Sequence, residues 1–276
     1  AVVASEVDNE PLSWSTIGGW FPSNMLESIS EMDYLYDASF KSRGILGLPT
    51  ETRLFDAQNN NALIAKSQAS YDEVGQYYSM VDSGSTTGYV APTGAYAHLR
   101  GKPTTKRTWN FDTNSWIETH TQFDNFGNVR KVWDTSGDQS RFIEYEYDPQ
   151  YKYAYVTKTK APAPDPTGIH GMTAGSEVTE TFDFNTGLSL SVTDANGQTA
   201  STEYDGMLRP IRITPPSGGA ISETIYNDAE RWVKSRQQID DQNWAESTTY
   251  FDSLGRPYQT KTKDLQGDVL GLTEYD

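Results

Sequence analysis

The 276 residues contain no cysteine. That absence excludes a disulfide framework, a thiol nucleophile and a zinc–thiolate centre. No run approaches the roughly 20 consecutive apolar residues that a membrane helix requires, so no membrane insertion is expected of this segment. Basic residues are scarce: 22 Lys and Arg stand against 38 Asp and Glu, a formal charge of −16. No basic stripe remains to neutralise a phosphate backbone, so nucleic acid is not an expected partner. Apolar residues, counted with glycine and without tyrosine, make up roughly 38% of the chain, against roughly 45–50% in an average domain, so the core should be thin. The three histidines, His98, His120 and His170, are scattered and lack metal-ligand spacing. A Gly-x-Ser-x-Gly elbow, a His-Glu-x-x-His pair and a phosphate-cradling Gly-Lys-Ser/Thr loop are all missing. Helical periodicity is also poor, with residues 23–31 the best helical candidate. No cofactor is expected, and the chain does not read as an enzyme.

What the chain has in quantity is one dipeptide. An aromatic followed by Asp occurs at Tyr36-Asp37, Phe55-Asp56, Tyr71-Asp72, Phe111-Asp112, Phe123-Asp124, Tyr147-Asp148, Phe182-Asp183, Tyr204-Asp205, Phe251-Asp252 and Tyr275-Asp276. With 27 Tyr and Phe and 22 Asp in the sequence, chance would give about two such pairs. Tyr226-Asn227 reads as a further copy with a near-isostere of Asp. From Phe182 onward the spacings are 22, 22, 25 and 24 residues. This is an internal repeat.

A turn signal sits inside each unit. Asp-x-x-Gly occurs at Asp72–Gly75, Asp124–Gly127, Asp134–Gly137, Asp194–Gly197, Asp252–Gly255 and Asp264–Gly267. Asp favours the first position of a type I turn, and Gly at the fourth supplies the left-handed bulge that closes a hairpin. At Asp56 the fourth residue is Asn59, and at Asp148 the next residue is Pro149, whose fixed φ suits a turn. Turns therefore recur every 10–12 residues, leaving room for strands of about five to seven residues.

The segments between turns alternate with period two, as in Tyr151, Tyr153 and Tyr155, in Leu188, Leu190 and Val192, in Ile143, Tyr145 and Tyr147, and in Ile221, Glu223 and Ile225. The charged and hydroxyl-bearing alternates should face water. The expected fold is all-β: a meander of β-hairpins forming a long open sheet that twists and coils, with about 18–24 strands at this spacing. The aromatic before each Asp should stack on its counterpart one repeat away. Residues 1–33 read as a lead-in and 34–276 as the array. Loop insertions lie near 83–103 and 161–175, where Gly, Ser, Thr and Pro concentrate.

At Phe123-Asp124-Asn125-Phe126-Gly127-Asn128, Tyr204-Asp205-Gly206-Met207-Leu208-Arg209-Pro210 and Phe251-Asp252-Ser253-Leu254-Gly255-Arg256-Pro257 the chain resembles the tyrosine–aspartate (YD) repeats of the Rhs family. The resemblance covers most of residues 34–276. It implies hairpins joined into a strip that spirals into a hollow shell, as in Rhs toxins, the B and C components of insecticidal toxin complexes, and teneurins. It further implies a non-enzymatic scaffold, a segment of a longer parent that encloses a toxin or forms an extracellular framework, secreted or at the cell surface after a cytoplasmic stage. Partners on this view are the remaining repeats and C-terminal region of the parent, with an enclosed toxin, a surface glycan or a protein beyond them. Asp165-Pro166-Thr167-Gly168 matches the letters of the family's self-cleaving Asp motif, but its companion Asp motif is missing and the Pro-rich setting reads as a loop turn.

The alternative is a carbohydrate- or protein-binding adhesion module. It would use the two insertions, or a surface built from Trp109, Trp116, Trp133, Trp232 and Trp244. Paired carboxylates of a glycosidase are disfavoured, because the aspartates are spaced as turn starters.

Overall fold

The computed structural model describes residues 28–75, 78–134, 141–165, 167–264 and 267–275. Helix among them is confined to the five-residue α1 (Ala38–Ser42) and a three-residue 3-10 turn at Pro149–Tyr151. Everything else is strand, turn or loop, and the chain is all-β.

Two compact units divide the chain. The first comprises Ala1–Lys152 and Lys160–Gly175. It carries β1 (Ser28–Tyr34), β2 (Pro49–Asp56), β3 (Ala62–Tyr71), β4 (Pro103–Asn110), β5 (Ser115–Phe123), β6 (Val129–Asp134) and β7 (Phe142–Tyr147). Each of these strands pairs antiparallel with the next. After β8 (Val156–Lys160), the second unit carries β9 (Glu177–Phe182), β10 (Ser189–Thr193), β11 (Thr199–Tyr204), β12 (Pro210–Thr214) and β13 (Ser222–Asn227). It continues through β14 (Trp232–Gln238), β15 (Trp244–Phe251), β16 (Pro257–Asp264) and β17 (Gly267–Leu272), again pairing in sequence from β9 to β17. The described residues thus hold 17 strands rather than 18–24, because residues 72–102 and 161–176 contain none of them.

Two local expectations fail. Residues 28–31 of the helical candidate lie in β1, where Ile29 faces Phe55 and Glu31 faces Arg53, so pairing overrides a weak helical preference; residues 23–27 lie outside the described residues. The Tyr151–Tyr155 alternation is not a strand either. Tyr151 ends the 3-10 turn, and Lys152 and Tyr153 follow in left-handed conformation (φ 51° and 61°). Pro149 starts that turn and Tyr151 is buried, so the three tyrosines do not share a pleat.

The alternation inside the strands is real, but its burial is reversed. In β10 the aliphatic Leu190 and Val192 are the exposed set, and Ser189, Ser191 and Thr193 are half-buried. Register shows why. In the second unit Glu203 faces Arg212, Arg212 faces Glu223, Glu223 faces Arg236, Arg236 faces Glu246, and Glu246 faces Lys263. Six strands therefore contribute one row of strictly alternating charge on a single face. Glu223 holds Arg212 at 3.1 Å and also bonds Arg236, whose guanidinium lies 4.7 Å from the Trp244 ring. In the first unit Arg53 gathers Glu31, Asp33 and Glu51 at 3.2, 3.1 and 2.5 Å, and Arg107 holds Glu118 at 2.7 Å. Long charged side chains cover one another with their stems while their heads pair, so this face is shielded more than its aliphatic opposite.

Few described side chains are fully enclosed. The buried apolar set is Leu99, Trp133 and Tyr151, and the buried polar set is Thr104, Thr105, His120, Asp124, Asn125 and Thr248. Stability comes mainly from ladder hydrogen bonds and cross-strand pairs rather than from an oily interior.

Two substitutions test this placement. Trp133→Ala, at a ring 5% exposed, should cost about 3–5 kcal/mol. Ile117→Thr, at a side chain 55% exposed, should stay within about 0.5 kcal/mol. Urea melts of the two variants check the contrast, and equal losses would contradict it.

Candidate functional site

The repeated aromatic–Asp element recurs as one local machine, built in four steps. First, the carboxylate closes the turn. Asp205 Oδ1 accepts the backbone N–H of Met207 and of Arg209, both at 2.9 Å, while its own N–H donates to the Arg209 carbonyl. Asp252 repeats this with Leu254 and Arg256, Asp194 with Asn196 and Gln198, and Asp124 with Phe126 and Asn128. The fourth turn residue is left-handed: Gly127 at φ 90°, Gly197 at 75°, Gly255 at 78° and, without glycine's freedom, Leu208 at 64°.

Second, a register shift stands directly before Phe55, Tyr71, Phe123, Tyr204 and Phe251. Such a bulge re-aims the following side chain out of the pleat. Third, the tyrosine hydroxyl, after a register shift at Tyr71 and Tyr204, donates to a carbonyl at the start of a preceding strand. Tyr71 reaches Pro49 at 2.7 Å, Tyr147 reaches Val129 at 3.1 Å, and Tyr204 reaches Ser189 at 2.8 Å. Tyr226 reaches Pro210 at 3.3 Å and Tyr275 reaches Pro257 at 2.7 Å.

Fourth, an arginine joins consecutive repeats. Arg209 Nε donates to Asp205 at 2.8 Å, its guanidinium grips Asp228, and its carbon centre lies 4.0 Å from the Tyr226 ring. Arg256 binds Asp252 at 2.8 Å and lies 4.5 Å from the Tyr275 ring. In these two copies a cation–ring contact links one repeat to the next, where ring-on-ring stacking is the expectation from sequence.

Other copies depart from this scheme. Asp56 caps its turn through Gln58 and Asn59, but the left-handed residues are Asn60 and Asn61. Asp183 caps through Asn185 and Thr186, and the Phe182 ring meets Tyr155 at 5.0 Å. At Phe111-Asp112 the cap is Asn110, which accepts from Asp112 and Thr113, so this pair lies inside the turn it was expected to start. Asn227 accepts from Glu230. Asp37 caps α1 through Ser39 and Phe40, beside an exposed Tyr36, and Asp148 caps the 3-10 turn through Gln150. Asp276 and Gly137 lie outside the described residues.

Asp72 does something the dipeptide pattern did not indicate. It accepts the backbone N–H groups of Arg100, Gly101 and Lys102 at 2.7, 2.6 and 3.1 Å, closing the base of the 73–101 insertion. That insertion packs back on the sheet. Ser83 bonds Asp124 and Asn125, Tyr89 OH donates to the Asn125 carbonyl, and the Tyr89 ring meets Phe126 edge-on at 4.7 Å. Beneath it Glu73 accepts the hydroxyls of Thr104 and Thr105, and Tyr78 OH lies 2.8 Å from His120 Nδ1. Thr105 Oγ1 is 3.1 Å from the same nitrogen, and Glu118 is 3.4 Å from His120 Nε2. A hydroxyl, an imidazole and a carboxylate in this order have the parts of an acyl-transfer triad. Thr105 has no exposed surface, and the network pins the insertion to the sheet.

His98 lines a small cavity with Glu73, Tyr78 and Thr104 of that cluster, His170 belongs to the Asp165 loop turn, and no group of three or more His, Asp or Glu among the described residues is placed to hold a metal. Asp165 caps a loop turn through Thr167 and His170. The Thr167 hydroxyl first, then backbone donors, hold its carboxyl at about 2. Backbone N–H groups likewise lower Asp183, Asp194, Asp205 and Asp252. The alternating charge row leaves no signal in the sequence, since its members lie 9–17 residues apart and only register aligns them.

Tyr204→Phe deletes one hydroxyl–carbonyl link and should cost about 1 kcal/mol, read from denaturant midpoints. Acid acts on the turns with a definite sign. Carboxyls lowered on folding stabilise the fold above their ordinary value of 3.8 and lose that contribution as pH falls through their folded values. Melting temperature should therefore drop steeply between pH 3.8 and about 2, and an NMR titration of the Asp165 carboxyl should have its midpoint near 2. A midpoint at or above 3.8 would contradict the capping geometry.

No family model and no curated protein matches the chain. Solved structures do. A crystal structure of TcdB2-TccC3 aligns at a TM-score of 0.51 and 13% identity, covering 96% of this chain and 18% of that one. The same complex without its hypervariable C-terminal region gives 0.39 at 12% identity, covering 84% and 14%. A Tc holotoxin pore from Photorhabdus luminescens gives 0.24 at 10%, covering 91% and 17%. This chain spans less than a fifth of the length of each of these. Its fold is similar to that of the Rhs/YD-repeat shell proteins.

Proposed function

We propose that the chain is a non-enzymatic structural scaffold, a stretch of YD-repeat wall within a longer secreted or cell-surface protein that encloses a toxin or frames an extracellular assembly. One observation carries this reading: an Asp–Arg–Tyr link joins one repeat to the next at Asp205–Arg209–Tyr226 and at Asp252–Arg256–Tyr275, the arrangement of a joint rather than of a reaction centre. The carboxylates of Asp194, Asp205 and Asp252 face backbone N–H groups at separate turns, and Asp72 and Asp124, which line one small cavity, are likewise engaged by backbone N–H groups. The fold likeness to TcdB2-TccC3 supports the wall-like role. None of the described helices is long and apolar enough to cross a membrane. The net charge of −16 favours solubility of so exposed a sheet.

Protease protection tests the reading. In the longer protein, a neighbouring cargo segment should resist digestion while the joints are intact, and should be cut when Arg209→Ala and Asp252→Ala are combined. Equal digestion in both proteins would refute enclosure. Turnover of any glycoside or peptide, abolished by one Asp→Asn change, would refute the non-enzymatic role.

A further inference from the structure

The network beneath the 73–101 insertion holds a nucleophile, a base and an acyl group in contact. We infer that Thr105 and Glu73 are the two halves of an ester cross-link that the chain forms within itself, with His120 as the catalytic base. The reaction goes beyond the scaffold role and does not depend on it. It happens once per molecule and turns over no substrate.

Register builds the site. Thr105 on β4 lies directly opposite His120 on β5. Glu73 enters from the start of the insertion, and its Oε2 accepts the Thr105 hydroxyl at 2.5 Å and the Thr104 hydroxyl at 2.8 Å. The attacking oxygen therefore rests against the carboxyl group it attacks, and well-oriented pairs of this kind react as if at about 10⁵–10⁸ M. His120 Nδ1 lies 3.1 Å from Thr105 Oγ1, and Glu118 Oε2 lies 3.4 Å from Nε2. An Nε2–H directed at Glu118 leaves Nδ1 free to accept the threonine proton, which makes Glu118 a positioning residue. Tyr78 OH lies 2.8 Å from Nδ1 and 3.4 Å from Thr105 Oγ1, and turns aside as that proton passes.

The step balances without a co-reactant. Nδ1 takes the hydroxyl proton as Oγ1 adds to the carbon of the protonated Glu73 carboxyl. Negative charge collects on Oε2, where the Thr104 hydroxyl donates. The imidazolium returns its proton to Oε1, the C–Oε1 bond breaks, the carbonyl re-forms at Oε2, and one water leaves.

Burial selects this reaction. Thr105 is closed to any outside acyl group, so Glu73 is the one within reach. Thr104 and His120 are buried as well, and the buried Trp133 ring stacks on His120 at 5.5 Å, which keeps water from the finished ester. Glu73 also shares a small cavity with Asp72 and Asp124, and esterification removes its charge from beside theirs. Glu73 and Thr105 are 32 residues apart, so the bond closes the insertion into a covalent ring. A disulfide supplies that constraint in other chains, and this one has no cysteine.

Intact-mass spectrometry of the full folded chain tests the inference after incubation between about pH 5 and 8, where imidazole accepts and returns protons. The expected mass is that of the sequence less one water, and digestion should give a branched peptide joining Glu73 to Thr105. Hydroxylamine, which opens esters and spares amides, should split that peptide in two. Thr105→Val should keep the full mass, Thr105→Ser should restore the loss, and His120→Gln should slow it at least about a hundredfold. Melting curves identify any variant that fails to fold, and the wild-type mass then decides. A wild-type chain that keeps its full mass, a water lost instead at Asp205-Gly206, a branched peptide that survives hydroxylamine, or equal rates with and without His120 would overturn the inference.

Discussion

Everything in this molecule hangs on a carboxylate accepting the N–H groups of the chain that follows it. At Asp205 and Asp252 that single acceptor reverses the chain, fixes where the next strand begins and positions an arginine four residues on. The arginine then meets the ring of the following repeat, and that ring's hydroxyl returns to the start of the strand in between. Each joint therefore depends on its neighbour, which is how repeat arrays gain stability that a lone hairpin lacks.

The second constraint is the scarcity of apolar residues. A single sheet layer offers two faces and this chain cannot oil either of them. It covers one face with charges of alternating sign and leaves isolated aliphatic side chains on the other. Exposed pairs of this kind contribute little one at a time, but in the row Glu223 serves two cations and each stem shields the next.

Insertion 73–101 follows a different logic. Its ends meet because Asp72 gathers three N–H groups from residues 100–102, and its body is held by Glu73, Tyr78, Ser83 and Tyr89 against β4, β5 and the turn after β5. Here lie most of the fully buried polar groups of the described chain. Buried polar groups are costly unless paired, and side chains drawn from distant segments pair with Thr104, Thr105, His120, Asp124 and Asn125 here, while Arg100 Nε is left without a hydrogen bond.

Local signals make the all-β meander, the turn positions and the repeat legible from residue order alone, because a carboxylate capping its own turn acts within four residues. The same locality misleads at Phe111-Asp112, where Asn110 captures the N–H groups first, and at Tyr151–Tyr155, where Pro149 starts a tight turn in place of a pleat. Which face of each strand is shielded, and that Asp72 clamps a remote loop, depend on register and on long-range contacts. The chain's own residues determined where it turns and how often. Only the paired sheet decided which charges stand opposite one another, because cross-strand neighbours are set by hydrogen-bond registration and not by distance along the sequence.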